Sequence, residues 1–194
     1  MPLPLDLRLA LAPLDTYRQL TAAPSKGSWS RALERPALVA VIIGTAFTLS
    51  AAERAPAGLV AMGILCWSFV PALQLLVGAL VSGMAPTRSI SMARSIELLF
   101  IAQLPWSLWV LVMTGMTVFT EIPQPLAAQL LSLLIPGVWT SVMVSAFCRI
   151  GLNCTTRHAR RLTLVHQALT FTLFFGYVLL VSGVLVRILA VVDR

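Results

Sequence analysis

The stretch SIELLFIAQLPWSLWVLVM, residues 95–113, decides the fold class of this chain. Its apolar character continues to Phe119, and about 20 predominantly apolar residues are enough to carry a helix across the hydrocarbon core of a bilayer. Glu97, Gln103 and Pro105 interrupt the stretch, although polar and helix-breaking residues are unfavourable in that environment. The stretch therefore predicts a membrane-spanning helix with three exceptions that need an explanation.

The composition of the whole chain also favours a membrane protein. Of the 194 residues, 58% are hydrophobic and 11% are charged, and the mean hydropathy is +0.90. A soluble domain carries roughly 25% charged residues, and a chain this short would have to cover a large surface with polar groups. The net charge of +7 comes from sparse basic residues between apolar runs, which is typical of membrane-flanking positions. We therefore expect a lipid bilayer, and no nucleic acid, as a partner.

Five segments are long and apolar enough to span a membrane. They are residues 35–52, 58–83, 96–119, 125–147 and 162–192. The predicted fold class is therefore an all-α integral membrane protein with five transmembrane helices. Residues 35–194 form its membrane domain, and residues 1–34 form a cytoplasmic N-terminal segment and linker.

Residues 5–21 are only mildly apolar and do not predict a further span. Leu7, Leu11 and Leu14 share one helical face, which Pro13 interrupts. This pattern favours an interfacial helix that lies on the cytoplasmic leaflet. The alternative is a loosely ordered tail.

Proline and small residues within the spans predict two local features. Pro71, Pro105 and Pro136 each lack the amide hydrogen that would bond to the carbonyl four residues earlier, so three spans should be bent. Small residues spaced four apart let helix backbones approach closely. The patterns of this kind are Ala40-xxx-Gly44-xxx-Thr48, Ala79-xxx-Gly83 and Ser141-xxx-Ser145.

Basic residues are distributed unevenly between the predicted connections. Eleven lie on the side that holds the N-terminus, against two or three on the opposite side. Because Lys and Arg concentrate in cytoplasmic loops, the N-terminus should be cytoplasmic and the C-terminus outside. The preference for Arg over Lys, 13 to one, indicates a bacterial genome, and we expect the protein in the bacterial inner membrane.

Polar side chains concentrate in the cytoplasmic half of the predicted bundle. With a rise of about 1.5 Å per residue, Gln74 and Gln103 lie roughly 12 Å and 10 Å from the cytoplasmic ends of their helices. Seven residues form this predicted polar cluster: Gln74, Glu97, Gln103, Ser141, Ser145, His166 and Gln167. They act either as hydrogen-bonding links between helices or as a cytoplasm-facing pocket for a substrate, a lipid headgroup or a proton.

Glu97 has two alternative roles within this cluster. In the first, it lies one to two turns inside its helix, near the headgroups and within reach of Arg94. In the second, it pairs with His166 or Arg161 of the last helix and closes a cytoplasmic gate or binding site.

The basic residues that precede the last span are candidate contacts for lipid headgroups. Arg157, Arg160 and Arg161 lie close together at the entry to that helix, where they could engage anionic lipid. The positive-inside bias explains the same residues equally well.

Motifs for metal binding and catalysis are absent from the sequence. Cys148, Cys154 and His158 are six and four residues apart, which matches no strong zinc pattern. There is no H-E-x-x-H, no G-x-S-x-G, no phosphate-binding glycine loop and no carboxylate pair. The sequence therefore predicts a non-enzymatic protein without a cofactor or metal.

The order of these features resembles the Yip1-domain family of five-span membrane proteins in its short bacterial form. The resemblance rests on LAPLDTYRQLTAAPSKGSWSRALERPAL at 11–38, WSFVPALQ at 67–74 and QLPWSLW at 103–109. It implies a non-enzymatic scaffold or adaptor that binds other membrane proteins. The DLYGP-like motif of the eukaryotic members is missing here, so no functional residues are carried over.

Two functions follow from these observations. The first is a Yip1-like scaffold whose partner is another membrane protein or a second copy of the chain. The alternative is a permease or channel subunit that uses the polar cluster as a cytoplasm-facing site.

The predicted orientation can be tested with reporters fused after Arg194. In a bacterial host we expect alkaline phosphatase fused there to be active and green fluorescent protein fused there to be dark, because each works on only one side of the membrane. Fusions after Gly83 provide the matched cytoplasmic control. A fluorescent C-terminal fusion would contradict an odd number of spans.

Overall fold

The computed structural model describes residues 5–22, 27–51, 56–86, 90–119 and 125–192, and all secondary structure in these ranges is α-helical. Side chains are described up to residue 180, apart from residues 6, 7, 10, 126 and 178. The helices are α1 (Leu5–Leu11), α2 (Pro13–Ala22), α3 (Trp29–Ala51), α4 (Ala57–Trp67), α5 (Phe69–Gly83), α6 (Met92–Ile101), α7 (Leu104–Phe119), α8 (Leu126–Ser132), α9 (Leu134–Ile150) and α10 (Thr156–Val192). The expected all-helical class is therefore confirmed.

Four helical segments are long and apolar enough to cross a membrane, as a membrane protein requires. They are Trp29–Ala51, Ala57–Gly83, Met92–Phe119 and Ala127–Ile150. They correspond to the first four predicted spans. The fifth predicted span lies within α10, which begins at Thr156 rather than near residue 162, and it stays a prediction.

Three of these segments are interrupted just before a proline. The turn between α4 and α5 is at Ser68, three residues before Pro71, and the turn between α8 and α9 is at Leu133, three residues before Pro136. Between α6 and α7 the turn comprises Ala102 and Gln103, ahead of Pro105. The predicted bends are confirmed as breaks because each proline removes one helical hydrogen bond.

Helix α3 begins six residues earlier than the predicted first span. It starts at Trp29 instead of about residue 35, so the expected boundary between residues 34 and 35 falls inside a continuous helix. The extra turn is held by packing: Ala32 is fully buried against Ile96 and Phe100 of α6. Burial of an apolar side chain outweighs the polarity of the surrounding WSRALE sequence.

The backbones of α3 and α4 approach each other closely at Gly44. Gly44 and Thr48 are buried on α3, and a methyl group added at Gly44 would overlap the backbone of Gly63 and Ile64. The small-residue pattern in α3 therefore contacts another helix of the same chain. In contrast, Gly83 is exposed, so the pattern in α5 does not form a comparable contact.

The N-terminal segment is helical rather than a loosely ordered tail, and of the leucine face expected for it, Leu14 packs against the main core. Leu11 is 68% exposed, whereas Leu9 and Tyr17 are fully buried in the main core. The side chain of Leu7 lies outside the described residues. Helices α1 and α2 meet at Ala12, and Pro13 opens α2, where its missing amide is not needed. The segment consists of two short helices packed into the bundle.

The centre of the bundle is the helical segment that contains residues 95–113. In the span Met92–Phe119, 56% of the most apolar window is buried, compared with 28–39% in the other three spans. Leu98 and Leu99 of α6 pack with Val77 of α5 and Phe147 of α9 in the main core. This helix therefore contacts the others from the inside of the bundle.

The contact between α3 and α4 gives a testable consequence. We expect Gly44→Ala to lower the free energy of unfolding by about 1–3 kcal/mol, because the added methyl group overpacks against the backbone of α4. Gly115→Ala is the matched control, since a methyl group at Gly115 has no neighbour within 4 Å and alanine favours the helix by up to ~1 kcal/mol. Thermal unfolding of both variants in detergent measures the difference. Equal stabilities would contradict the close contact.

Candidate functional site

The structure separates the predicted polar cluster into four places. Gln74 and Gln103 meet between α5 and the turn after α6, and Glu97 lies at the start of α6. Ser141, Ser145 and Gln167 line a groove between α9 and α10, and His166 is buried on the inner side of α10. The cluster is therefore not one pocket.

Gln74 and Gln103 form a direct link between two helices. Gln74 Nε2 donates to Gln103 Oε1 at 3.1 Å, and the two residues are 6% and 2% exposed. Their predicted similar depth is confirmed. Gln103 reaches this position from the turn that precedes Pro105, so the helix break and the polar pair belong together.

Glu97 takes the simpler of its two expected roles. Its Oε1 lies 2.8 Å from Arg94 Nη1, three residues earlier in α6. Ser91 caps the helix by accepting a hydrogen bond from the Arg94 amide at 3.3 Å, and Arg94 Nη2 donates to Leu20 O at 2.9 Å. Within the described part of the chain Glu97 does not pair with His166 or Arg161.

Beside Glu97 lies a small polar cavity of about 320 Å³. Arg31, Glu34 and Arg35 from the first turns of α3 line it together with Glu97. The two carboxylates and two guanidiniums balance in charge, which favours a local ionic network over the capture of a charged ligand.

His166 is buried at about the same position along the helix axes as Gln74, and both side chains have polar atoms without hydrogen-bond partners among the described residues. The ring is 1% exposed, and neither nitrogen has a hydrogen-bond partner among the described residues. His158 Nε2 lies 3.4 Å from Met84 O, which aligns the start of α10 with the end of α5. Counting about 1.5 Å per residue from that contact places His166 within about 3 Å of the depth of Gln74. Gln74 Oε1 is likewise buried and unpaired.

Ser141, Ser145 and Gln167 lie on the wall of a groove of about 620 Å³. Gln167 Nε2 donates to Ser141 Oγ at 2.9 Å, and Ser141 donates to Gly137 O at 2.8 Å. Ala12 and the first residues of α2, Pro13 to Asp15, close one side of the groove. Val138, Val142 and Leu164 make its walls largely apolar.

The structure also separates the three predicted headgroup contacts. Arg160 lines the groove, whereas Arg157 and Arg161 are exposed on other parts of α10 and do not line it. Arg149 of α9, which the sequence analysis counted only as a flanking charge, lines the groove beside Arg160. Its position eight residues after Ser141 and four after Ser145 puts all three on one helical face.

Tyr17 is a structural residue that the sequence analysis did not identify. Its hydroxyl donates to Leu98 O at 3.0 Å, and its ring lies 5.9 Å from that of Phe147. The Leu98 carbonyl is available because the Ala102 amide bonds to Leu99 O instead. Burial raises the pKa of the Tyr17 phenol well above its ordinary value, and Cys148 acts in the same direction. The phenol therefore stays a donor at neutral pH.

Metal ligands do not gather in the described part of the chain. No three His, Cys, Asp or Glu side chains there are placed to hold a metal ion. Burial raises the pKa of the Cys154 thiol, which disfavours the thiolate that a metal site needs. His158 is engaged with the end of α5 as described above.

Comparison of the chain with protein-family models, with curated proteins and with solved structures gives no match. Its resemblance to the Yip1-domain family therefore stays a prediction. Function has to be argued from the geometry of the helices and the polar groups.

The Tyr17 contact can be tested by hydrogen exchange. We expect Tyr17→Phe to speed amide exchange in α2, because it removes a hydrogen bond that contributes about 0.5–1.5 kcal/mol and leaves the Leu98 carbonyl unpaired. The raised pKa means that this stabilisation is present below the ordinary tyrosine pKa of about 10 and is lost only at higher pH. Tyr177→Phe, on the exposed side of α10, is the matched control. Unchanged exchange in α2 would contradict the anchor.

Proposed function

We propose that this chain is a non-enzymatic integral membrane protein that acts as a scaffold or adaptor for other membrane proteins, as the resemblance to the Yip1-domain family implies. The observation that carries the proposal is that the polar side chains form hydrogen bonds between helices of this chain. Gln74 bonds to Gln103, and Gln167 bonds to Ser141, so both pairs link helices of the same chain. Links of this kind hold a bundle together and leave the outer surface for lipid and partner proteins.

The proposed arrangement in the bacterial inner membrane has five spans. Helix α10 supplies the fifth, with the N-terminus cytoplasmic and the C-terminus outside. At 37 residues α10 is longer than the roughly 20 residues that a span needs. Arg157, Arg160 and Arg161 fall in its first two turns, as expected at a cytoplasmic helix entry, and Arg187 lies near its other end.

A second candidate, a permease or channel subunit, is favoured by a different observation. Gln74 Oε1, Gln103 Nε2, Thr140 Oγ1 and both ring nitrogens of His166 are buried without hydrogen-bond partners among the described residues. Buried polar atoms of this kind are frequently satisfied by ordered water. A chain of such water between α5, α9 and α10 is a route for protons or for a small polar substrate.

The two candidates are distinguished by one double variant, Gln74→Leu with Gln103→Leu. For a scaffold, the wild-type protein purified in mild detergent should elute with a membrane-protein partner at a fixed ratio. The double variant should retain that partner, because it loses only a helix link of about 0.6–2 kcal/mol. For a permease, the same variant should lose proton flux in proteoliposomes that contain a pH-sensitive dye, while its thermal unfolding changes little.

Two results would contradict the scaffold. One is a monodisperse wild-type protein that elutes without a partner in several mild detergents and in nanodiscs. The other is proton flux by the wild-type protein that disappears in the double variant. The single variant Gln103→Leu is a further control, because it leaves the amide of Gln74 without its partner. The effects of two contacting residues on stability are not additive, so the single and the double variant are compared.

A further inference from the structure

The groove between α2, α9 and α10 has the dimensions of a single lipid chain in one leaflet. Its volume of about 620 Å³ lies within the range of roughly 300–1,000 Å³ of small-molecule sites. It runs along α9 from Arg149 to Val138, which is about 16 Å of helix. Half of the hydrocarbon core of a bilayer is about 15 Å thick. The groove therefore extends from one face of the membrane domain to about the middle of the bilayer.

The two ends of the groove differ in chemistry. Val138, Val142 and Leu164 form its deep walls, and they are 64%, 52% and 70% exposed. Arg149 and Arg160 lie together at the other end, near the connection between α9 and α10. An occupant that matches both ends has an apolar chain and an anionic head.

The charges at the arginine end are not neutralised within the described residues. Neither the Arg149 nor the Arg160 side chain has an ion pair or a hydrogen bond there. The one carboxylate that lines the groove, Asp15, is already paired with Arg18 at 2.9 Å. The end of the groove that would lie near the lipid headgroups therefore has a net positive charge.

A hydroxyl group lies between the charged and the apolar parts. Ser145 is one turn deeper than Arg149 on the same face of α9, and its hydroxyl has no hydrogen-bond partner among the described residues. One helical turn is about 5.4 Å. A hydroxyl at this depth can donate to the ester oxygens that follow a lipid phosphate.

We propose that this groove binds one anionic phospholipid of the cytoplasmic leaflet. The phosphate contacts Arg149 and Arg160, Ser145 donates to the ester region, and an acyl chain lies along Val138, Val142 and Leu164. The inference is independent of the scaffold and permease proposals, since lipid binding requires neither a protein partner nor a transport path.

The test counts the lipids that stay bound to the full chain. The protein is reconstituted in phosphatidylcholine nanodiscs that contain a minor fraction of phosphatidylglycerol, and native mass spectrometry after release identifies the retained lipid. We expect the wild type to retain one phosphatidylglycerol in preference to phosphatidylcholine. The double variant Arg149→Gln with Arg160→Gln should reduce this retention at least about tenfold, because both arginine–phosphate contacts are lost.

Two further variants make the result specific to the groove. Arg157→Gln with Arg161→Gln removes the same charge from α10 outside the groove, and should retain the lipid as the wild type does. Ser145→Phe keeps both groove arginines but fills the middle of the groove, and should release the lipid. Thermal unfolding of each variant in detergent verifies that the fold is unchanged.

Four outcomes would overturn the proposal. Equal loss in the two arginine double variants would indicate a diffuse basic surface, and retention without headgroup preference would exclude the arginine contacts. Full retention by Ser145→Phe would place the lipid elsewhere. A change in oligomeric state caused by the groove variants would indicate that the groove holds a helix of a second copy.

Discussion

Pro105 has no amide hydrogen, so the helical bonding pattern cannot continue through the carbonyl of Ile101. The resulting break lies in the most buried of the four apolar segments. It places Gln103 where its side chain meets Gln74 of α5, and it leaves the Leu98 carbonyl to accept the hydroxyl of Tyr17. Two separate parts of the chain are therefore attached at or next to this break.

The polar side chains of the bundle fall into two physical environments. Gln74, Gln103 and His166 are buried. A buried polar atom without a hydrogen-bond partner has a high desolvation cost, so the hydrogen bond between Gln74 and Gln103 matters for stability. Ser145, Arg149 and Arg160 open onto a groove, where their groups are available to a ligand. Although Gln167 bonds to Ser141, both side chains also face that groove. The bundle thus holds an enclosed hydrogen bond between α5 and the turn after α6, and an open groove between α9 and α10.

Features that depend only on position along a helix were predictable from the sequence. Long apolar runs predicted the four apolar helical segments, and Pro71, Pro105 and Pro136 predicted their interruptions. Counting residues predicted the matching depth of Gln74 and Gln103. The pairing of Glu97 with Arg94 also followed, because three residues is a fixed spacing on a helix.

Features that depend on helix rotation were not predictable. In a helix that is hydrophobic all round, the sequence pattern does not indicate which face is turned inwards. For this reason Arg149 was counted only as a flanking charge, and Arg160 was not distinguished from Arg157 and Arg161. In the N-terminal segment only part of the expected leucine face packs: Leu14 contacts the main core, whereas Leu11 is exposed and Leu9 and Tyr17 are fully buried.

The anchor of α2 also fixes an order of assembly. Tyr17 bonds to a carbonyl 81 residues later in the chain and packs against Phe147, which follows later still. During synthesis α2 leaves the ribosome long before either contact exists. It can make these contacts only after α6 and α9 have been synthesised. A helix that is made early therefore takes its place late, after the helices that carry Leu98 and Phe147 are available.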